Sequence, residues 1–236
     1  MIRHYPFQQL GKADHGWLKA NHHFSFGQYY NPQRMGFGKL RVINDDKIEA
    51  GQGFPPHPHN NMEIITFVRT GQVAHKDNQG NQGVTQAGEV QVMSAGSGIQ
   101  HSEYNLSTQA LTLFQIWIEP NKKNVEPRWD TKLFPQQENT DTLPLLVSGY
   151  GADKDKALYI HQEARIFGGT IAAGVSLNQA IENQAYIVIS SGEVEITDNQ
   201  QVVKLSKGDG AEVTNQDVIT LTALTKAELL VLDVPN

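Results

Sequence analysis

Short apolar runs of period two dominate the chain, at residues 40–43, 62–68, 90–93, 111–118, 186–189, 194–196 and 229–232. Period two puts alternate side chains on one face of an extended backbone, so each run predicts a β-strand with a buried side. The runs are rich in Val, Ile, Phe and Thr, and clusters such as Asp77-Asn78-Gln79-Gly80-Asn81 separate them. No long helical period competes. Many short strands at close spacing predict an all-β chain built as antiparallel sandwiches or barrels, in the manner of jelly rolls. The doublet Asp45-Asp46, one residue beyond the first run, reads as a hairpin turn.

The punctuation repeats. Gly71-Gln72-Val73, Asp77-Asn78-Gln79 and Gly88-Glu89-Val90 are echoed by Gly192-Glu193-Val194, Asp198-Asn199-Gln200 and Gly208-Asp209-Gly210, at offsets of 121 falling to 120. A repeat of that length predicts two related β-barrels, a domain at 1–125 and a second at 126–236. Pro120, Pro127, Pro135 and Pro144 mark the join. Proline supplies no ladder hydrogen bond, so 120–150 is expected to be a linker with a short helix.

Composition narrows the possible functions. At 236 residues, 39% hydrophobic, the chain can bury a substantial core, and its 21 Gly and 10 Pro suit a turn-rich globule. A net charge of -6 offers no basic footprint for nucleic acid or anionic lipid. With no cysteine, disulfides, thiolate nucleophiles, iron–sulfur clusters and Cys-ligated zinc are excluded, so any metal must sit on nitrogen and oxygen. Residues 1–20 contain no apolar run of signal or membrane type, and a monomer in the cytoplasm is expected. There is no phosphate loop, dinucleotide glycine motif or nucleophile elbow.

Two segments carry candidate chemistry. In Gly51-Gln52-Gly53-Phe54-Pro55-Pro56-His57-Pro58-His59, two histidines stand two apart, so on an extended chain both imidazoles leave one face. Spacing alone also fits solvated histidines in a polar loop. Forty-two residues after His59, the stretch Ser94-Ala95-Gly96-Ser97-Gly98-Ile99-Gln100-His101-Ser102-Glu103-Tyr104-Asn105 repeats the spacing with His101 and Glu103. On neighbouring strands the two pairs would gather three imidazoles and a carboxylate around one divalent ion: Fe(II), Mn, Ni, Cu, Co or Zn. Six-coordination would leave two positions open for oxygen and substrate.

These segments, with Glu63, resemble the two metal motifs of the cupin superfamily. More narrowly, His22-His23-Phe24-Ser25-Phe26-Gly27, Tyr29-Tyr30, Met35-Gly36-Phe37 and Leu40-Arg41-Val42-Ile43-Asn44-Asp45-Asp46 are similar to the pirin family, as are both metal segments. The likeness is dense from about residue 15 to 118 and thins beyond Pro120.

The resemblance implies a bicupin, two jelly-roll-like barrels with a short linker. It also implies one metal, most often iron, held by His57, His59, His101 and Glu103. Bacterial pirins are associated with quercetin 2,3-dioxygenase activity, in which O2 opens a flavonol and carbon monoxide leaves, and Glu103 would then be the catalytic base. The alternative is a non-catalytic metal- or redox-sensing regulator acting through a protein partner, the role to which eukaryotic pirins are linked. A third reading is a zinc-bound isomerase or storage cupin. Glu63 stands where many cupins take their carboxylate ligand, whereas pirins use the residue matching Glu103, so a supporting role is expected for Glu63. Ser94 replaces the usual cupin proline, with two extra residues before His101, as in pirins.

The second half keeps no ligand: the repeat offsets carry the motif positions onto Asn178, Ala180, Gln184, Leu221 and Ala223. That barrel is expected to serve as a packing partner, with His161 structural. His22 and His23, being adjacent, are expected to be structural with at most one facing inward, and His75 to be solvated. Phe24, Phe26, Met35, Phe37, Phe54 and Met62 are candidates to line an aromatic pocket.

Overall fold

The computed structural model describes residues 1–198 and 200–236; Asn199, which belongs to the repeat noted above, lies outside the described residues. The first half contributes β1 (Ile2–Tyr5), β2 (Gly11–Asp14), β3 (Leu18–His22), β4 (Leu40–Ile48), β5 (Gly53–His59), β6 (Glu63–Thr70), β7 (Gln72–Asp77), β8 (Gln82–Gln86), β9 (Glu89–Ser94), β10 (Ile99–Tyr104) and β11 (Leu111–Ile118). The chain continues through β12 (Arg128–Leu133), β13 (Leu145–Ser148), β14 (Leu158–Tyr159), β15 (Arg165–Ile171), β16 (Ser176–Ala180), β17 (Gln184–Ser191), β18 (Glu193–Thr197), β19 (Val202–Ser206), β20 (Gly210–Val213), β21 (Val218–Ala223) and β22 (Ala227–Val234). Every one of the seven apolar runs lies largely within a strand.

Two compact units result. The first comprises residues 11–134 with 158–162. Its larger sheet has the order β12-β9-β6-β11-β4-β3-β2, and its smaller sheet β5-β10-β7-β8. Val73 of the smaller sheet packs with Leu18, Ile48, Val68, Leu111 and Leu113 of the larger, giving a two-layer sandwich with a dry centre. The second unit comprises residues 1–10, 135–157 and 163–236. It holds β1-β20-β17-β22-β15-β13 and β16-β21-β18-β19, closed over an aliphatic core that includes Leu177, Ile187, Val194, Ile196, Leu221 and Leu229.

The repeat is architectural. In the first unit β6 pairs with β9 and β11, and β11 with β4; in the second β17 pairs with β20 and β22, and β22 with β15. The smaller sheets match too, β10 lying between β5 and β7 as β21 lies between β16 and β18. Gly71 and Gly192 turn the same corner with φ +77, a left-handed backbone that favours glycine. The protein is a bicupin of two jelly-roll units.

Two expectations change. The proline-rich stretch 120–150 holds β12, which pairs with β9, and β13, which pairs with β15, and no helix among the described residues. Its prolines fall outside these strands, which is why extended structure survives between them. Asp45 and Asp46 do not form a turn, because β4 runs on to Ile48 and pairs with both β3 and β11. Asp45 is held in the strand by an ion pair with Arg69, while Asp46 is buried. Among the described residues no helix is long and apolar enough to cross a membrane.

Candidate metal centre

β5 is an edge strand of the smaller sheet of the first unit, the one place where Pro55, Pro56 and Pro58 cost few ladder hydrogen bonds. Its other edge is the chemistry. His57 and His59 point the same way and pair across the ladder with His101 and Ile99 of β10. The register shifts between His101 and Glu103, so that Glu103 faces Phe54. Gly53 pairs with Tyr104 at the end of this ladder, where a Cβ would overlap the Glu103 carbonyl. Asn105 follows β10 and is fully buried, its Nδ2 donating to the carbonyls of Ile48 at 3.1 Å and Gln109 at 2.8 Å, which anchors the strand end.

Three imidazoles converge. Ring centroids are 4.9 Å apart for His57 and His59, 4.5 Å for His57 and His101, and 4.9 Å for His59 and His101. One nitrogen from each lies within 4.8 Å of the others, and His75, His101 and Glu103 form a second group meeting the same limit. His101 is 2% exposed and its Nε2 has no hydrogen-bond partner in the protein. A buried polar atom left in this way is costly unless something occupies it. His57 Nδ1 lies 2.8 Å from the Pro55 carbonyl and donates to it, so the neutral ring carries its lone pair on Nε2.

Electrostatics favour a cation here. Burial, then His57, His59 and His75, lower the His101 pKa to about 2, and burial with His57 lowers His59 to about 4. Both rings therefore present lone pairs at neutral pH. Burial raises the Glu103 carboxyl, against the opposing pull of His75 and His57 and hydrogen bonds from two amides. Gln91 Nε2 reaches Oε1 and Gln115 Nε2 reaches Oε2, each at 2.8 Å. Asp46 is pushed up to about 8 by burial and by the neighbouring charges of Asp45 and Glu103. The donors are all nitrogen and oxygen and fit a divalent ion, with His101 common to both groups; Glu103 meets the limit with His75 and His101 rather than with His57 and His59.

A cavity of about 830 Å³ opens among Trp17, His22, Phe26, Tyr29 and Phe54. Phe54 stacks edge-on to Trp17 and lies 6.1 Å from the His57 ring. Phe26 packs on Trp117, which packs on His59 at 5.0 Å. Two aromatic routes, one through Phe54 and one through Phe26 and Trp117, thus connect the cavity to the imidazoles.

Comparison with known proteins agrees with this geometry. The pirin profile matches residues 4–118, and a profile described as the quercetinase C-terminal cupin domain matches 145–234. A pirin-like protein of Caulobacter vibrioides is 52% identical over 198 residues, covering 83% of this chain and 85% of its own. This chain belongs to the pirin family. A quercetin 2,3-dioxygenase of Escherichia coli is 45% identical over 191 residues, 80% of each chain. The crystal structure of the bacterial pirin YhhW from Escherichia coli in complex with nickel(II) superposes with a TM-score of 0.91 at 40% identity, covering 100% of this chain and 99% of that one. The metal-binding cluster of a cupin is therefore present in this pirin.

Several side chains depart from expectation. His75 is not solvated: it is 1% exposed, stacked 5.0 Å over Trp129, and within hydrogen-bonding reach of His101 and Asp77. His22 and His23 are both buried, His22 bonded to Asn44 Oδ1 at 2.7 Å and facing the cavity. Of the six candidate pocket residues, Phe26 and Phe54 line the cavity; Phe24 and Phe37 are core, Met35 is exposed, and Met62 packs beside Ile64 and Met93. Glu63 is buried, accepts a hydrogen bond from Ser94 Oγ at 2.7 Å, and is raised to about 7, chiefly by burial. Gln91 and Gln115 carry no motif of their own in the sequence, although each occupies an inward position on a predicted strand.

Proposed function

We propose that this pirin is an iron-dependent dioxygenase that opens quercetin-like flavonols with O2 and releases carbon monoxide. The observation that carries the reading is the unpartnered Nε2 of buried His101, surrounded by His57 and His59 and connected by aromatic contacts to a cavity sized for a multi-ring ligand. His57, His59, His101 and Glu103 would hold the ion. Bound there, Fe(II) supplies Lewis acidity toward the flavonol oxygens and a site for O2 chemistry.

The chain's own residues account for the remainder. Phe26, Phe54, Trp17 and Tyr29 offer aromatic faces and edges against which flat rings stack, and they exclude water from the reacting carbons. Glu103, its basicity raised by burial, takes the proton of the flavonol hydroxyl. The Gln91 and Gln115 amides steady the carboxylate while the proton arrives. The name of the Escherichia coli relative supports the substrate class.

The test is addition of quercetin and air to Fe(II)-loaded protein, following flavonol absorbance and carbon monoxide. Loss of flavonol with equimolar carbon monoxide, abolished in Glu103→Gln, is expected. Iron-loaded wild type that neither consumes quercetin nor releases carbon monoxide would overturn the reading.

A further inference from the structure

The polar chemistry of the first unit does not stop at the imidazoles. On β7, His75 and Asp77 lie opposite Glu103 and His101 across the ladder, and the side chains of His75 and Asp77 are both fully buried. A buried imidazole beside a buried carboxylate is costly, and the second unit manages without the imidazole. On the corresponding ladder of the second unit, Val194 pairs with Ala223 and Ile196 with Leu221, all four fully buried and aliphatic. The repeat thus keeps the turn carboxylate, Asp198 matching Asp77 and accepting from the backbone N–H groups of Gln200 and Gln201, but it places the aliphatic Ile196 where the first unit has His75.

Hydrogen-bond logic fixes where the protons lie. Asp77 Oδ1 accepts from the backbone N–H groups of Gln79 and Asn81, and Oδ2 accepts from Asn81 Nδ2, so the carboxylate is already oriented by its own turn. Burial raises this carboxyl, but the hydrogen bonds from His75, Asn81 and Gln79 outweigh it and hold it below the ordinary range. A carboxylate only accepts, so His75 Nε2, 3.0 Å from Oδ2, must carry a hydrogen. In the neutral form of His75, Nδ1 is then a bare acceptor. It faces His101 Nδ1 at 3.4 Å, and two nitrogens at that distance share one hydrogen, which must be on His101. A neutral His101 protonated at Nδ1 leaves its lone pair on Nε2, the unpartnered atom among the three imidazoles.

We propose that Asp77 and His75 are positioning residues, a relay that fixes the His101 tautomer so that Nε2 is available to the metal. The inference rests on the metal-centre reading above. It differs from a single carboxylate–histidine support in having a second histidine interposed, with Trp129 stacked on that ring to hold its plane.

Asp77→Asn isolates the effect. The amide oxygen keeps the backbone contacts to Gln79 and Asn81, while the NH2 group replaces Oδ2, the acceptor facing both His75 Nε2 and Asn81 Nδ2; the Asn81 amide meets the new donor by turning its own oxygen toward it. His75 would be driven to its Nδ1–H form and His101 to its Nε2–H form, with no lone pair toward the cluster, the same logic by which an Asp-to-Asn change selects the wrong tautomer in a serine protease triad. Two readouts follow the change in metal-free and Ni(II)-titrated protein. Long-range proton–nitrogen NMR of 15N-histidine protein reports His101 as the Nδ1–H tautomer in wild type and Nε2–H in Asp77→Asn. Calorimetric titration with Ni(II) gives one site per chain in wild type, weakened about 10- to 100-fold in the variant. Should Asp77→Asn fail to fold, His75→Phe, which keeps the stacking on Trp129 and removes the acceptor, carries the same test with the same expected weakening. Wild type that takes up no Ni(II) would overturn the metal centre itself. A folded variant that binds Ni(II) within twofold of wild type, with the His101 tautomer unchanged, would overturn the relay alone.

Discussion

Gln91 Nε2 donates to Glu103 Oε1 at 2.8 Å, across the space between the two sheets of the first unit. Gln91 is itself saturated, its Oε1 accepting from Thr85 Oγ1 at 3.0 Å and from Trp129 Nε1 at 3.1 Å. The amide therefore ties a buried carboxylate to the larger sheet and to the indole that supports His75.

Gln91→Leu should cost at least about 2 kcal/mol of stability, because it strands the Thr85 hydroxyl and the Trp129 N–H without replacing either partner. Urea denaturation of the metal-free protein checks this. A midpoint equal to wild type would mean that the network carries no net weight.

The cavity makes a separate prediction. Phe26 contacts Trp117 rather than any of the clustered imidazoles except through it, so Phe26→Ala should raise KM for quercetin roughly three- to tenfold, the value of one aromatic contact, while leaving metal content unchanged. Steady-state kinetics with elemental analysis tests it. Unchanged KM would place the flavonol elsewhere.

His23 sets an acid limit on the fold. It is 1% exposed, and burial, with Arg34 and His22 adding like charge, lowers its pKa to about 3. The unfolded chain binds this proton near pH 6.5 and the folded chain resists it, so His23 contributes its full stability above about pH 6.5 and that contribution is lost as pH falls toward 3. At pH 5 the loss is roughly 2 kcal/mol. Comparing urea midpoints at pH 7.5 and 5 in His23→Leu and wild type should show a shallower decline in the variant; equal declines would contradict the assignment.

Much of this was legible in the sequence, and the exceptions have physical causes. His57, His59 and His101 could be read because the edge-strand prolines and the glycine-rich turn fix extended backbone on either side of them. The neighbours of His75 point the wrong way, since exposed Lys76 and the adjoining turn suggest a wet strand end. Period two gave the better signal: Val73, His75 and Asp77 share a face, and Val73 is fully buried. The strands β12 and β13 were hidden by prolines that flank rather than interrupt them. Asp45 and Asp46 imitate a turn because their partners, Arg69 for one and burial beside Glu103 for the other, come from distant strands. No local pattern encodes such contacts.

Iron content measures most directly whether one ion sits among the three imidazoles. Protein purified without oxygen and reconstituted with Fe(II) should hold one iron per chain. The double variant His57→Ala with His101→Ala should hold none, while circular dichroism shows the β-sheet spectrum intact. Equal iron in the two proteins would contradict the account.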